Sequence, residues 1–137
     1  MDIEEARKKG LRIGLTGGVF DLIHFGHVVT LNEAKKRCDY LVVVVAGDEH
    51  IRNKGRTPIH SQEYRAAMVG FLKPVDFVVM GGAKIGDTLA KVRPDVIIYG
   101  YDQKEVAAPA GVEIVRLEKH VEPDKLKSSK IIRELGL

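Results

Sequence analysis

The chain has 137 residues, of which 45% are hydrophobic and 30% charged, and its formal net charge is +3. This length and apolar content are typical of one domain with a buried core, and they exclude an intrinsically disordered chain. The longest apolar run, 40–46, is far shorter than the roughly 20 residues of a membrane-spanning helix. The mild charge and the 6% aromatic content argue against a nucleic-acid partner. With its single cysteine, the sequence predicts one domain over residues 1–137, in the cytoplasm and without a membrane partner.

Strand and helix patterns alternate along the chain. Strands are predicted at 11–16, 40–46, 75–80, 95–99 and 112–117. Helices are predicted at about 26–37, 61–72 and 85–92, with a last helix from Ser128 or Ser129 to Leu135. The polar segment 48–59 is predicted as a loop, and the interleaved charges at both ends of the chain are typical of solvated helix faces. The alternation favours a Rossmann-like α/β fold, an open parallel five-stranded sheet with helices on both faces.

Two histidines flank a glycine in the segment after the first predicted strand. Ligands of open parallel sheets bind at the carboxyl ends of the strands, and a helix start there offers free N–H groups to a phosphate. Gly26 would permit close approach, and the spacing of His24 and His27 would place both imidazoles on one side of the helix. Two such donors can stabilise the charge that develops during transfer at phosphorus. The segment therefore predicts a phosphate site, and a nearby loop with Lys54 and Arg56 would add positive charge.

A metal site is the alternative interpretation of the same segment. His24 and His27 could hold a divalent ion together with Asp21. Gly26 would have no role in that arrangement, so we favour phosphate and predict no protein-bound metal. Asp21 itself would either orient a ligand or cap a turn. The sequence lacks both GxxxxGK[ST] and GxGxxG, which argues against a P-loop nucleotidase and a dehydrogenase.

The segment 18–27 resembles the HxGH signature of the cytidylyltransferase-like nucleotidyltransferases. Other segments resemble this family's second strand and loop, mobile basic loop, E-x-R helix, PD…G-x-D loop and closing serine helix, namely 39–49, 54–59, 63–65, 93–102 and 128–132. The resemblance covers nearly the whole chain. It implies transfer of a nucleotide from a nucleoside triphosphate to a phosphorylated acceptor, with release of pyrophosphate. It also implies that Mg²⁺ or another divalent cation accompanies the triphosphate, and that the protein is a homodimer.

The resemblance assigns roles residue by residue. It implies that the catalytic residues are His24, His27 and Lys54. It implies nucleotide contacts from Gly18, Val19, Phe20, Asp21, Gly26, Arg56, Gly100, Asp102, Ser128 and Ser129. It implies acceptor contacts from Asp48, Arg65 and Tyr101. Two alternatives stay open: Arg65 as a surface residue paired with Glu63 or Asp48, and the two serines as a plain helix cap.

The choice of substrates depends on two loops. The sequences of 54–59 and 100–103 resemble those of the archaeal FAD synthases within this superfamily, which implies ATP and FMN as substrates. The alternative is a cytidylyltransferase that uses CTP with glycerol phosphate or another polyol or sugar phosphate. A non-catalytic nucleotide-binding module is the second alternative, and the intact His24, His27 and Lys54 argue against it.

Overall fold

Five parallel strands form one sheet in the computed structural model, which describes residues 1–100, 103, 105 and 108–118. The strands are β1 (Ile13–Gly18), β2 (Tyr40–Val45), β3 (Phe77–Met80), β4 (Val96–Tyr99) and β5 (Glu113–Arg116). The helices of the described residues are α1 (Ile3–Lys8), α2 (Phe25–Lys35), α3 (Asp48–Asn53), α4 (Gln62–Gly70) and α5 (Ile85–Val92). The predicted last helix lies outside the described residues.

The strand order positions the site. The sheet runs β3-β2-β1-β4-β5, so the chain first builds outward from β1 to β3 and then crosses to the other side of β1 to form β4. Crossovers therefore run in opposite directions on either side of the β1–β4 pair. In open parallel sheets this reversal opens a crevice at the carboxyl ends of the two strands.

Each face of the sheet is covered by helices, as β2 illustrates. Tyr40, Val42 and Val44 point into the layer that contains residues of α1 and α5. The alternate residues Leu41, Val43 and Val45 point into the layer that contains residues of α2 and α4. All six β2 residues are buried, as expected for a continuous apolar strand in the centre of a parallel sheet. The predicted Rossmann-like fold with helices on both faces is confirmed.

Two short helices differ from the sequence-based prediction. Segment 48–59 begins with helix α3, whose first turn carries Asp48 and Glu49, and whose single apolar residue Ile51 is 2% exposed. One apolar side chain gives no periodic signal, but burying it fixes the helix, and the two acids favour the helix dipole. The charged N-terminus likewise forms α1, which is not only a solvated face because Ile3 and Ala6 pack into the core. Within the described part of the chain, no helix combines the length and the apolar character that crossing a membrane requires.

Candidate active site

The carboxyl ends of β1 and β4 are joined by one side chain. Gln103 Nε2 donates a hydrogen bond to the Gly17 carbonyl at 2.7 Å, and Gln103 Oε1 accepts one from the Gly100 N–H, also at 2.7 Å. Arg116 Nη1 donates to the Gly100 carbonyl at 2.9 Å. The crevice therefore has a fixed floor at the point where the strand order reverses. Sequence reasoning gave Gln103 no such role, although the G-Y-D-Q pattern singled it out.

The two histidines cap the helix reciprocally. His24 is the N-cap of α2, and its Nδ1 accepts a hydrogen bond from the Gly26 N–H at 3.1 Å. His27 Nδ1 accepts one from the His24 N–H at 3.2 Å, and the two ring centroids are 4.1 Å apart. Because both Nδ1 atoms act as acceptors, the bonding pattern assigns the ring proton to Nε2 in each neutral histidine. Each ring then retains one N–H donor for a ligand. The Gly26 N–H, by contrast, is already used within the turn.

Electrostatics keep both rings neutral. Burial of His27, reinforced by the neighbouring His24, lowers the pKa of His27 to about 4. Burial also lowers the pKa of His24 below its usual value. Burial disfavours the charged imidazolium, because a low-dielectric surrounding solvates it poorly. The pair is therefore a set of neutral hydrogen-bond donors at neutral pH rather than a pair of cations.

A strained residue supports the histidine turn, which we define as residues 18–27. Phe20 has a φ of +55° and is 7% exposed, and its ring centroid is 5.4 Å from that of His27. A Cβ atom on Gly18 would lie 2.9 Å from the Phe20 ring. Only glycine at position 18 leaves that space for the ring. The conformation of the histidine turn thus depends on the backbone of residues 18–20 and on the packing of the Phe20 ring.

The carboxylate of Asp21 holds a distant segment. Its Oδ2 accepts a hydrogen bond from the Ile59 N–H at 2.8 Å, and its Oδ1 accepts one from the His60 N–H at 2.9 Å. Burial opposes ionisation, but these two hydrogen bonds and the nearby Arg65 outweigh it, so the pKa of Asp21 is lowered. Asp21 therefore accepts backbone N–H groups of a segment that is distant in sequence, since Ile59 lies 38 residues further along the chain. It does not cap a turn in its own neighbourhood. In residues 1–100, 103, 105 and 108–118, no three His, Cys, Asp or Glu side chains group as metal ligands.

Arg65 lies in the interior, although the sequence-based interpretation placed it at the acceptor or on the helix surface. Its side chain is 0% exposed. Its three nitrogens donate to the Asp48 carboxylate at 2.7 Å, the Val19 carbonyl at 2.7 Å and the His60 carbonyl at 3.1 Å. Asp48 was one of the two alternative partners, and it keeps 29% of its side chain exposed. The surface alternative is therefore wrong, because the guanidinium is buried and its donors link three segments of the chain. The acceptor contact stays a prediction.

The basic segment, defined as residues 54–58, projects from this framework. Lys54 caps the C-terminus of α3, and both Lys54 and Arg56 are exposed. Within the described residues, neither side chain makes a hydrogen bond or an ion pair. Arg52, by contrast, pairs with Glu49 at 3.4 Å. The segment turns at Gly55, whose φ is +78°, a conformation that glycine adopts without strain.

The remaining predicted site residues divide into two groups. Gly100 is buried and forms the crevice floor with Gln103. Four lie outside the described residues: Tyr101, Asp102, Ser128 and Ser129. Sequence reasoning also missed Gln62, whose Nε2 donates to the Val45 carbonyl at 3.1 Å and to the Gly81 carbonyl at 2.8 Å. This side chain joins the ends of β2 and β3, as Gln103 joins those of β1 and β4.

Known proteins resemble this chain in both sequence and fold. The Cytidylyltransferase-like family matches residues 15–134. The chain is 48% identical to the FAD synthase of Methanopyrus kandleri, with 77% of this chain and 79% of that protein covered. It is 38% identical to the FAD synthase of Thermococcus onnurineus, with 97% of this chain and 96% of that protein covered. Among solved structures, a lipopolysaccharide core biosynthesis protein from Thermoplasma volcanium matches with a TM-score of 0.75 at 38% identity, covering 82% of this chain and 100% of that one.

The family match takes in the histidine turn, the basic segment and both sides of the β1–β4 crevice. The fold and this match define a nucleotidyltransferase. The chain belongs to the cytidylyltransferase-like family, and the resemblance inferred from its motifs is confirmed.

Proposed function

We propose that the protein is an FMN adenylyltransferase, that is, an FAD synthase that joins ATP and FMN and releases pyrophosphate. Relatives named FAD synthase are 38–48% identical to this chain over most of its length. The observation that carries the catalytic part of the proposal is the pair of neutral histidines at the start of α2, each with Nε2–H available to a phosphate.

The chemistry needs little from the protein beyond position and charge. A phosphate oxygen of FMN attacks the α-phosphorus of ATP, forming a new P–O bond as the bond to the β-phosphate bridging oxygen breaks. Pyrophosphate leaves with that electron pair. The attacking phosphate is already ionised, so the reaction needs no strong general base. Donors that are fixed before the reaction lower the barrier, because they do not have to reorganise as charge develops.

The roles of individual residues follow from their surroundings. His24 and His27 would donate from Nε2 to oxygens of the α-phosphate as charge builds on them. Lys54 and Arg56 would neutralise the triphosphate, since both are exposed and unpaired within the described residues. The turn 18–20 and Gly100 would shape the nucleotide site, and Asp48 is exposed enough to contact the acceptor. Tyr101, Asp102, Ser128 and Ser129 keep their proposed ligand contacts on the resemblance alone.

A divalent cation, Mg²⁺ by proposal, would accompany the triphosphate. Enzymes of this family act on a nucleoside triphosphate together with such an ion. The carboxylates of Asp21 and Asp48 are already engaged, Asp21 with two backbone N–H groups and Asp48 with Arg65. The donor set of the described residues therefore fits an ion held mainly by phosphate oxygens. Bound there, the ion would supply positive charge to the triphosphate.

The test measures pyrophosphate release with Mg²⁺ while ATP and CTP are crossed with FMN, glycerol phosphate and choline phosphate. We expect pyrophosphate release only for the pair of ATP and FMN. Release with CTP and a polyol phosphate would keep the reaction class and overturn the substrates. If no pair released pyrophosphate, the result would favour the non-catalytic nucleotide-binding module. Binding of ATP would then be measured by calorimetry.

A homodimer is proposed as well. Tyr64, Met68 and Phe71 follow the helical spacing along α4 and are 55%, 45% and 87% exposed. Helix α4 packs against β3, the edge strand, whose Met80 is 52% exposed. Sedimentation velocity should detect a dimer that Phe71→Glu converts to monomer. A wild-type monomer at micromolar concentration would contradict the proposal.

A further inference from the structure

The basic segment 54–58 is exposed over residues 54–57, yet both of its ends are tied to the histidine turn. Thr57 and the two basic residues are exposed, and the backbone of the segment is held to the last turn of α3. There the Gly55 N–H donates to the Arg52 carbonyl at 2.9 Å, and the Arg56 N–H donates to the Ile51 carbonyl at 3.3 Å. Its position is therefore decided by the residues at which it begins and ends. Three side chains make those connections: Asp21, Asp48 and Arg65.

The far end is held through both backbone polar groups of one residue, His60. The Asp21 carboxylate accepts the N–H groups of Ile59 and His60, at 2.8 and 2.9 Å. Arg65 Nε donates to the carbonyl of the same His60 at 3.1 Å. The His60 ring also stacks on Tyr64, with the centroids 4.7 Å apart. Two opposite charges therefore hold the donor and the acceptor of residue 60, which fixes where the basic segment ends.

The near end is reached through the same arginine. Arg65 Nη2 donates to Asp48 Oδ1 at 2.7 Å, at the first residue of α3, and Lys54 caps the other end of this six-residue helix. Arg65 Nη1 donates to the Val19 carbonyl at 2.7 Å, inside the histidine turn. One buried guanidinium therefore contacts the turn, the start of α3 and the end of the basic segment.

Burial makes these connections stiff. A fully buried guanidinium is tolerated only when its donors are satisfied, and removing a partner from such a group is costly. Charge-assisted hydrogen bonds are also roughly twice as strong as neutral ones. The arrangement therefore favours a single position of the segment over alternatives in which one of the three carbonyl or carboxylate partners is lost.

We propose that Asp21 and Arg65 are positioning residues, which hold the basic segment beside the histidine turn so that Lys54 meets the same phosphate as the histidines. The delivery of Lys54 to phosphate rests on the proposed function, whereas the tether itself does not. Neither residue needs to touch a ligand to matter for the reaction. In this arrangement Asp21 acts through the backbone N–H groups of Ile59 and His60.

The first test is limited proteolysis, which does not depend on activity. Asp21→Asn removes the charge and one of the two carboxylate oxygens that accept N–H groups, so segment 54–58 should open more often. Trypsin should then cut after Lys54 and Arg56 about tenfold faster than in the wild type, because cleavage follows the population of the open form. Cleavage after Lys91, in α5, serves as the internal reference. Asp87→Asn, at an exposed carboxylate of α5, is the matched control and should leave the rates after Lys54 and Arg56 unchanged.

The second test is a double-mutant cycle on pyrophosphate release. If Asp21 acts through Lys54, then Lys54→Ala should cost about tenfold in the wild type and little in the Asp21→Asn background. Arg65→Lys, which keeps the charge but cannot reach all three partners, should behave like Asp21→Asn. Thermal melts identify variants that are merely unfolded.

The outcomes separate the two proposals. Unchanged cleavage at Lys54 and Arg56 in Asp21→Asn would overturn the tether. Faster cleavage with strictly additive kinetic effects would overturn the positioning role, because Asp21 would then act independently of Lys54. A wild-type protein that releases no pyrophosphate would overturn the proposed function, while the cleavage rates would still decide whether the tether exists.

Discussion

The histidine turn and the basic segment both carry nitrogen donors suited to phosphate, but they are built in opposite ways. In the turn, each histidine uses Nδ1 to cap backbone N–H groups, and Phe20 packs against His27. In the basic segment, Lys54 and Arg56 are exposed, and within the described residues their side chains make no hydrogen bond or ion pair. The histidine donors of the turn are neutral and held in place, whereas the donors of the basic segment are charged and exposed.

This difference leads us to expect different roles for the two regions. Neutral donors held in fixed positions stabilise charge that appears only in the transition state, because they are already oriented before the reaction. Exposed cations attract a polyanion from a distance, and salt weakens that attraction. Four predictions examine whether the two regions differ in this way, in order of decreasing effect.

His24→Asn should lower kcat about 100- to 1000-fold, which is the usual cost of losing one such donor. Asparagine is a good N-cap, so the variant keeps the helix start while removing the Nε2–H group. The melting temperature should therefore stay close to that of the wild type, as steady-state kinetics and a thermal melt would show. The matched control is His50→Asn, at an exposed histidine of α3, which should keep full activity. A large drop in melting temperature would mean that the ring serves the fold rather than the reaction.

The stability of the protein should depend on pH through His27. The pKa of His27 is about 4 in the folded protein against an ordinary value of 6.5. The unfolded chain therefore binds a proton more readily between these values, so the free energy of unfolding falls as the pH is lowered from 6.5 to 4. The loss should approach about 3 kcal/mol.

Urea denaturation at several pH values would measure this loss, and His27→Asn should flatten that part of the pH profile. His50→Asn, which also replaces an imidazole but at an exposed position, is the matched control. An identical slope in His27→Asn would show that other groups cause the acid sensitivity.

Gly18→Ala should destabilise the protein by about 1–3 kcal/mol, the usual cost of overpacking a filled site. The new Cβ atom would lie 2.9 Å from the buried Phe20 ring, so the ring must move and disturb its contact with His27. Chemical denaturation and kcat would both report the change. Gly82→Ala is the comparison, because nothing lies within 4 Å of its Cβ position. Equal losses of stability in the two variants would mean that the histidine turn can rearrange to accept the added Cβ atom.

Lys54→Ala should reduce kcat/KM about tenfold, or about 1.4 kcal/mol, and the loss should shrink as salt is added. Arg52→Ala, which removes a cation already paired with Glu49, should have a smaller effect. Kinetics at several ionic strengths would measure both variants. An effect of Lys54→Ala that does not change with salt would indicate a desolvated contact like those of the histidines. It would contradict the proposed difference between the histidine turn and the basic segment.

Much of the fold was accessible from the sequence because its signals are local. Continuous β-branched runs predicted the buried strands, and Ser61 marked the start of α4, where its side chain accepts the Tyr64 N–H at 3.2 Å. Helix α5 was predicted with the bounds that the structure has. Helix α3 was missed because Ile51 is its only buried residue, and a single apolar position has no period.

The sequence predicted the parts of the candidate site whose residues are close together along the chain. It did not predict the parts that form only when distant segments meet in the fold. His24 and His27 lie three positions apart, so helix geometry alone places them together. Arg65 resembled an exposed arginine near the acceptor, because nothing in its neighbourhood along the chain reveals that Val19 and His60 would bury it. The bridging roles of Gln62 and Gln103 were missed for the same reason, since each joins strands that are distant in sequence.

The sequence by itself determined the alternation of strands and helices, the histidine turn and the family. Each of these depends on residues within a few positions of one another, where backbone geometry and side-chain spacing decide the outcome. Only the tertiary structure decided the strand order, the neutral state of the histidines and the burial of Arg65. Strand pairing, desolvation and long-range hydrogen bonds depend on which segments meet in space, and the tether between Asp21 and residue 60 exists only once they do.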